Sequence, residues 1–369
     1  MNRIARLRAV MAAQGIDATV LVPGSNLQYL AGIGFTTKLR LSCLVVPLTG
    51  TPVLVVPTME GARAQAVATV DLEVIGWDDG PGPQAAVTQA LARHALHQGH
   101  PTIAVEHVVM RVFELRAVEV AAPQARIVNA DPVIAQLRMR KDASELAAMR
   151  KAVTVAETTL AQAIAAIRPG MSEVAVAALW EDAIRAAGSE PSFGIAVGSG
   201  PNGASPHHSN GARTLQAGDL VVIDGGAIVD GYVSDITRTI AIGAVSERAR
   251  LVYQTVLAAN VAGRAAAALP GASGDSVDRA ARQVIDAAGF GPYFIHRTGH
   301  GLGVDIHEPP FMVGGDMNTL DAGMTFTVEP GIYLPNEFGV RIEDMVVRTA
   351  DGAETLTRFD RELYVVKES

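Results

Sequence analysis

The chain has 369 residues, of which 49% are apolar and 18% charged, with a net charge of −8 and one cysteine, Cys43. That length suffices for two domains with cores of their own, and the acidic balance without a Lys/Arg run excludes nucleic acid or an anionic membrane surface as the expected partner. A lone cysteine excludes a disulfide framework and a thiolate zinc cluster; no uncharged apolar run suits a signal segment or a membrane span, so a cytoplasmic location is expected.

Residues 1–130 read as a smaller α/β domain. An amphipathic helix over about Asn2–Ala13, with Ile4, Leu7 and Met11 at helical spacing, ends at Gly15. Apolar runs at 18–22, 41–48, 52–57 and 102–106 read as strands, and stretches near 59–69 and 83–97 as helices, giving a mixed sheet covered by helices. Thr49-Gly50 between Pro47 and Pro52 reads as a hairpin turn. Cys43, inside LSCLVVPL, reads as a buried small hydrophobe, and His94, His97 and His100 as solvated. At the junction Asp131-Pro132 starts a short helix and Asp142 with Glu145 forms a capping pair. We place the second domain at 131–369, its internal repeat starting near residue 140.

That domain is duplicated. LQAGDLVVIDGGAIVDGYVSD (215–235) and LDAGMTFTVEPGIYLPNEFGVRIED (320–344) align when Leu215 is laid on Leu320, which also puts Gly218 on Gly323 and Asp224 on Glu329. Three more residues in the second turn lay Asp235 on Glu343. Upstream, Pro169-Gly170 to Gly188 matches Pro270-Gly271 to Gly289, each enclosing an amphipathic stretch. Each unit is therefore helix followed by strand pair, an α+β arrangement that can place a site on a pseudo-twofold axis.

Two strands, Val221–Ile223 and Tyr232–Ile240, joined by a turn at Val229-Asp230-Gly231, bring Asp224 and Asp235 within roughly 5–8 Å, either directly opposite or as diagonal neighbours according to the loop. Two carboxylates that close repel unless protonated or bridged by a cation. Glu329 ends the matching strand, and Glu343 lies in VRIEDMVV. With His300 in TGHGLG these make four carboxylates and one imidazole, an oxygen-rich set suited to two divalent metals. Arg341 shares a strand face with Glu343 and Thr237 with Asp235, so both are candidates to hydrogen-bond a ligand carboxylate. His207, His296 and His307 join His300 as a functional group of histidines, while His208 points elsewhere.

The pattern Asp224, Asp235, His300, Glu329, Glu343 resembles the dinuclear pita-bread metallopeptidases, which include methionine aminopeptidase, aminopeptidase P and prolidase. HRTGHGLGVDIHE (296–308), with His296, resembles the segment of the proline-specific branch, and the N-terminal domain resembles the creatinase-like domain of that branch. The resemblance covers essentially the whole chain and implies the following. Asp224 chelates one metal; His300 and Glu329 bind the other; Asp235 and Glu343 bridge. A metal-bridged hydroxide is the nucleophile, Glu329 serves as general base and acid, His207 and His307 stabilise the tetrahedral intermediate, and His296 contacts the proline side. Manganese is the implied metal, with cobalt or zinc as alternatives. The implied substrate is a small peptide with proline after the scissile bond, first of all an Xaa-Pro dipeptide; the rival is an aminopeptidase P acting on longer peptides. A homodimer formed partly through the N-terminal domain is also implied. A metal-free scaffold of the same fold or a creatinase-like amidinohydrolase would not need this intact ligand set.

Overall fold

The structure is a computed structural model and describes residues 2–35 and 39–367. It divides into two compact units at Arg138/Met139. The first is built on a six-stranded mixed sheet. Its spatial order is Glu73–Trp77, Val53–Pro57, Cys43–Pro47, Ala18–Leu21, Thr102–Val105 and Arg126–Asn129. The four continuous apolar runs form the four central strands, and every residue in them is buried. The two strands without such a run, Glu73–Trp77 and Arg126–Asn129, are the sheet edges and are partly exposed. Only one neighbour flanks an edge strand, so it needs no continuous apolar sequence.

Asn2 caps the helix Arg3–Gln14 through its side chain, and Gly15 at φ 65° ends it. The helix Asp131–Arg138 belongs to this unit, which moves the boundary from 130/131 to 138/139. It buries Val133, Ile134 and Leu137, and the Leu137 carbonyl accepts from Arg6 Nη2 at 2.8 Å and from Tyr29 Oη at 3.2 Å. Asp131-Pro132 is a genuine helix start, but a start signal carries no information about which core the helix joins.

The second unit repeats itself. A long helix, Ala143–Ala166, opened by the Asp142/Glu145 capping box, precedes helix Glu173–Ala186. In the second half Glu247–Ala267 precedes Gly274–Ala287. Ser172 and Ser273 cap the shorter helices in the same way and form equivalent isolated bridges to Thr214 and Thr319. Gly218 and Gly323 turn at φ 89° and 88°, a left-handed conformation that explains why both copies keep glycine there. Each half then forms a sheet. The first runs Val365–Val366, Ile236–Ile242, Leu220–Gly225, Ala196–Ser199, and the second Glu308–Met312, Gly299–Gly301, Thr325–Val328, Asp344–Thr349, Gly352–Thr355.

Buried polar contacts stitch the halves together. Glu343 N donates to Thr237 O at 3.1 Å, Arg341 N to Thr239 Oγ1 at 3.1 Å, and Arg238 pairs with Asp344 at 3.0 Å. Among the described residues no helix is long and apolar enough to cross a membrane.

Candidate active site

The hairpin of the first half sets the position of its two aspartates. Asp230 and Gly231 occupy the two turn positions, with φ 53° and 80°, between the pairs Val229↔Tyr232 and Ile228↔Val233. This is the mirror-image turn that Asp-Gly favours. The ladder resumes in the same register with Gly225↔Ile236 and Asp224↔Thr237. Of the two registers open to the sequence, the fold adopts the diagonal one: Asp224 faces Thr237, and Asp235 is offset. Gly226, between the two ladders, has no room for a side chain; a Cβ there would lie 1.8 Å from Ser234 O. In the second half Val328↔Asp344 and Gly331↔Arg341 also share one register, so Glu329 and Glu343 fall opposite each other in the gap between the ladders.

One cavity of about 520 Å³ is lined by Asp224, Asp235, His300, Glu329 and Glu343, and also by His207, His296, His307 and Arg341. The ligand atoms of Asp235, His300 and Glu343 lie within 4.8 Å of one another. His300 Nδ1 sits 3.1 Å from the Gly301 carbonyl, which can only accept, so that nitrogen carries the proton. Its Nε2 faces Glu329 Oε1 at 3.1 Å and Asp235 Oδ2 at 3.7 Å.

The donors present fit divalent cations. Asp224 Oδ1, Asp235 Oδ1 and Glu343 Oε1 are buried without a hydrogen-bond partner. A buried carboxylate oxygen with no donor is costly, and three of them on adjoining carboxylates call for positive charge. Burial, then the charges of Glu343, Asp224 and Glu329, hold the Asp235 carboxyl well above its ordinary range. Burial, then Glu329 and Asp224, do the same to Glu343. Cations among these oxygens relieve both effects, and a set of four carboxylates with one imidazole and no thiolate suits hard ions.

Arg341 and Thr237 underpin this cluster. Arg341 Nη2 donates to Asp224 Oδ2 at 2.7 Å, Nε to Thr237 Oγ1 at 3.1 Å, and Nη1 to Tyr333 Oη at 2.9 Å. Thr237 Oγ1 in turn donates to Glu343 Oε2 at 2.7 Å. Tyr333, absent from the sequence reading, also lies 2.9 Å from His296 Nε2. His296 Nδ1 donates to the Arg297 carbonyl at 2.7 Å. In neutral His296 the Tyr333 hydroxyl is therefore the donor to Nε2, and both ring nitrogens are engaged within the protein. The His307 ring stands edge-on to His300, with centroids 4.1 Å apart. His307 is exposed on one side; loss of solvent on its other side, then the charges of His300 and Arg297, lower its pKa to about 4, so it is a neutral imidazole at neutral pH.

His208 lines the cavity as well, where the sequence reading turned it away. Its Nε2 lies 2.8 Å from Glu173. Glu173, fully buried, also accepts from Ser199 N and Oγ, Asn202 Nδ2 and Gly211 N, all at 2.7–3.0 Å, and so pins the loop that carries His207. Nothing in the sequence marks Glu173: its counterpart in the repeat is Gly274, and an acid in the first turn of a helix reads as an ordinary dipole partner. Cys43 is buried, which pushes its thiol up to about 12, whereas His94 is half-buried with Nε2 enclosed rather than solvated.

Comparison with known proteins agrees with this architecture. Residues 147–350 match metallopeptidase family M24 and residues 3–140 match the creatinase/prolidase N-terminal domain. A protein named probable dipeptidase PepE from Mycobacterium tuberculosis is 39% identical, over 99% of this chain and 96% of its own length. The crystal structure of a recombinant prolidase from Thermococcus sibiricus superposes with a TM-score of 0.93 at 35% identity, covering 99% of this chain and 98% of that one. An Xaa-Pro dipeptidase from Bacillus anthracis gives 0.88 at 31% identity, covering 98% and 99%. The chain belongs to metallopeptidase family M24, with a creatinase-type N-terminal domain ahead of a duplicated α+β pita-bread peptidase domain.

Proposed function

We propose that this protein hydrolyses the peptide bond before proline, with Xaa-Pro dipeptides as its main substrates. The observation that carries this reading is the convergence of Asp224, Asp235, His300, Glu329 and Glu343 on one cavity, with three buried carboxylate oxygens left without a donor. Relatives named dipeptidase, prolidase and Xaa-Pro dipeptidase support the substrate class.

Asp224, its Oδ2 fixed by Arg341, would hold one cation; His300 and Glu329 would hold the second; Asp235 and Glu343 would bridge. Two divalent ions there, manganese first with cobalt or zinc as alternatives, would lower the pKa of a water and polarise the scissile carbonyl. Glu329 takes the water proton and delivers it to the leaving imino nitrogen. That role needs an ionised carboxylate. Burial works against ionisation, and cations held beside Glu329 would favour the charged form. Neutral His307 and His207, which both line the cavity, would donate to the developing oxyanion. His296 would contact the proline side of the substrate. An Xaa-Pro bond is a tertiary amide without an N–H, so its cleavage depends on carbonyl polarisation and on protonating the departing nitrogen rather than on a backbone hydrogen bond.

The second reading, an aminopeptidase P that releases the first residue of longer peptides, shares these groups and differs only beyond proline. A homodimer is proposed as well, supported by exposed Val108, Val112 and Phe113 on the first unit. The deciding assay compares kcat/KM for Ala-Pro, Ala-Pro-Ala and Ala-Ala with manganese added. Preference for Ala-Pro supports the dipeptidase, preference for Ala-Pro-Ala supports the aminopeptidase, and Ala-Ala cleaved as fast as Ala-Pro refutes both.

A further inference from the structure

Arg297 lines the same cavity, half-buried, three residues before His300. The other arginine of that wall, Arg341, is committed to Asp224, Thr237 and Tyr333. Among the described residues no hydrogen bond or ion pair occupies the Arg297 guanidinium. Its central carbon stands 4.5 Å from the centroid of the Phe311 ring, and Phe311 is the strand partner of His300. A guanidinium held over a ring face is restrained there by cation–π attraction while its N–H groups stay available to a planar, two-oxygen acceptor. The cavity thus keeps a rigid, partly desolvated cation with no anion of its own. The carboxylates that line the cavity cannot supply one, because Asp224, Asp235, Glu329 and Glu343 are the metal-type cluster.

An Xaa-Pro dipeptide supplies the missing anion. Its α-carboxylate carbon is three bonds from the scissile carbonyl carbon, through the proline nitrogen and Cα, and so lies within about 4 Å of it. A group that reads this carboxylate must share the cavity of the metal-type cluster, as Arg297 does. In a longer peptide the same carbon is an uncharged amide, and the chain continues into the space that the guanidinium faces.

Building on the Xaa-Pro reading above, we propose that Arg297 binds the free carboxylate after proline and thereby sets the dipeptide length of the substrate. The carboxylate accepts two parallel N–H bonds from the guanidinium, which no amide can reproduce.

The test is a substrate contrast in wild type, Arg297→Met and Arg297→Lys, using Ala-Pro against Ala-Pro-amide with manganese present. Hydrogen bonds to a charged group correspond to roughly 10- to 100-fold in binding. Wild type should prefer the acid by about that factor. Arg297→Met, which preserves length and contact with Phe311, should reduce the preference to near unity, mainly through KM, and Arg297→Lys should keep part of it. Calorimetric binding of proline against prolinamide reads the same contrast without turnover. An unchanged preference in Arg297→Met overturns the proposal, as does an equal loss on both substrates, which marks a structural residue. Should Arg297→Met fold poorly by circular dichroism, Arg297→Gln takes its place. Should wild type spare both proline substrates yet cleave Ala-Leu, the Xaa-Pro reading fails by itself, and Ala-Leu against Ala-Leu-amide then decides the role of Arg297.

Discussion

Thr237→Val isolates the support beneath the carboxylates from the carboxylates themselves. The change is nearly isosteric, and the site is fully buried, so no water replaces the lost hydroxyl. Two hydrogen bonds disappear, both to charged groups: the one donated to Glu343 Oε2 at 2.7 Å and the one accepted from Arg341 Nε at 3.1 Å. Each such bond contributes about 1.5–3 kcal/mol. Arg341 keeps Asp224 and Tyr333 and can re-aim, so the two losses will not add in full. Partners of this kind usually cost about 10- to 100-fold in metal affinity or activity, and that is the expected loss in manganese affinity. Calorimetric titration of manganese into the metal-stripped variant measures it, with Asp235→Asn as the comparison. On the proposed assignment Asp235→Asn should lose more, because it would remove a bridging charge rather than its support. A Thr237→Val protein that binds manganese as wild type does, or an Asp235→Asn protein that retains two tight sites, would refute the reasoning.

Chelation should abolish hydrolysis and manganese or cobalt should restore it; full activity in a rigorously metal-free sample sinks the two-metal reading. Glu329→Gln should lose both metal and turnover, with roughly 10²–10⁴-fold from the proton transfer alone. His307→Ala should keep both metals while turnover falls about 10²–10³-fold; metal content and rate measured together separate the two, and a reversed pattern contradicts the assignments. Because the His307 pKa is depressed to about 4 from an ordinary 6.5, its neutral form contributes stability that is complete above pH 6.5 and is lost as pH falls towards 4. Thermal melts should therefore show wild type losing more stability than His307→Gln across that window, and parallel curves would exclude the effect. Gly226→Ala drives a methyl group to 1.8 Å from Ser234 O and 2.6 Å from Ser192 Oγ. We expect about 1–3 kcal/mol of destabilisation together with weakened metal binding, and a wild-type denaturation midpoint would show that the hairpin yields.

The sequence carried the duplication and the carboxylates because both copies preserve the same turn and strand-end residues. It left the hairpin register open by one residue. What closes that choice is backbone conformation: Asp230 and Gly231 both accept positive φ, which Val229 would resist. In the first unit the central strands were legible as unbroken apolar runs, while Glu73–Trp77 and Arg126–Asn129 were not, because an edge strand keeps one side exposed and mixes its residue types. Tyr333, Glu173 and Arg297 were invisible for another reason. Each acquires its part from residues distant in the chain: Tyr333 from Arg341 and His296, Glu173 from the loop of His207, Arg297 from Phe311. A single sequence states which residues exist but not which of them meet.

The seam between the two halves also fixes when this centre can exist. Arg341 and Asp224 are 117 positions apart, and Thr237 and Glu343 are 106 apart. Contacts so distant form late, because long loops must close before they are rewarded. During synthesis the Asp224/Asp235 hairpin emerges long before Glu343 is made, and alone it offers two mutually repelling acids. The last of the proposed ligands, Glu343, arrives with the strand pair that ends at Arg341 and Asp344. On the two-metal reading proposed above, cation capture would therefore follow docking of the halves, and the ion would stabilise only the finished domain. Metal uptake by a refolding chain should lag behind the recovery of helix, which makes loading a clock for the completion of folding.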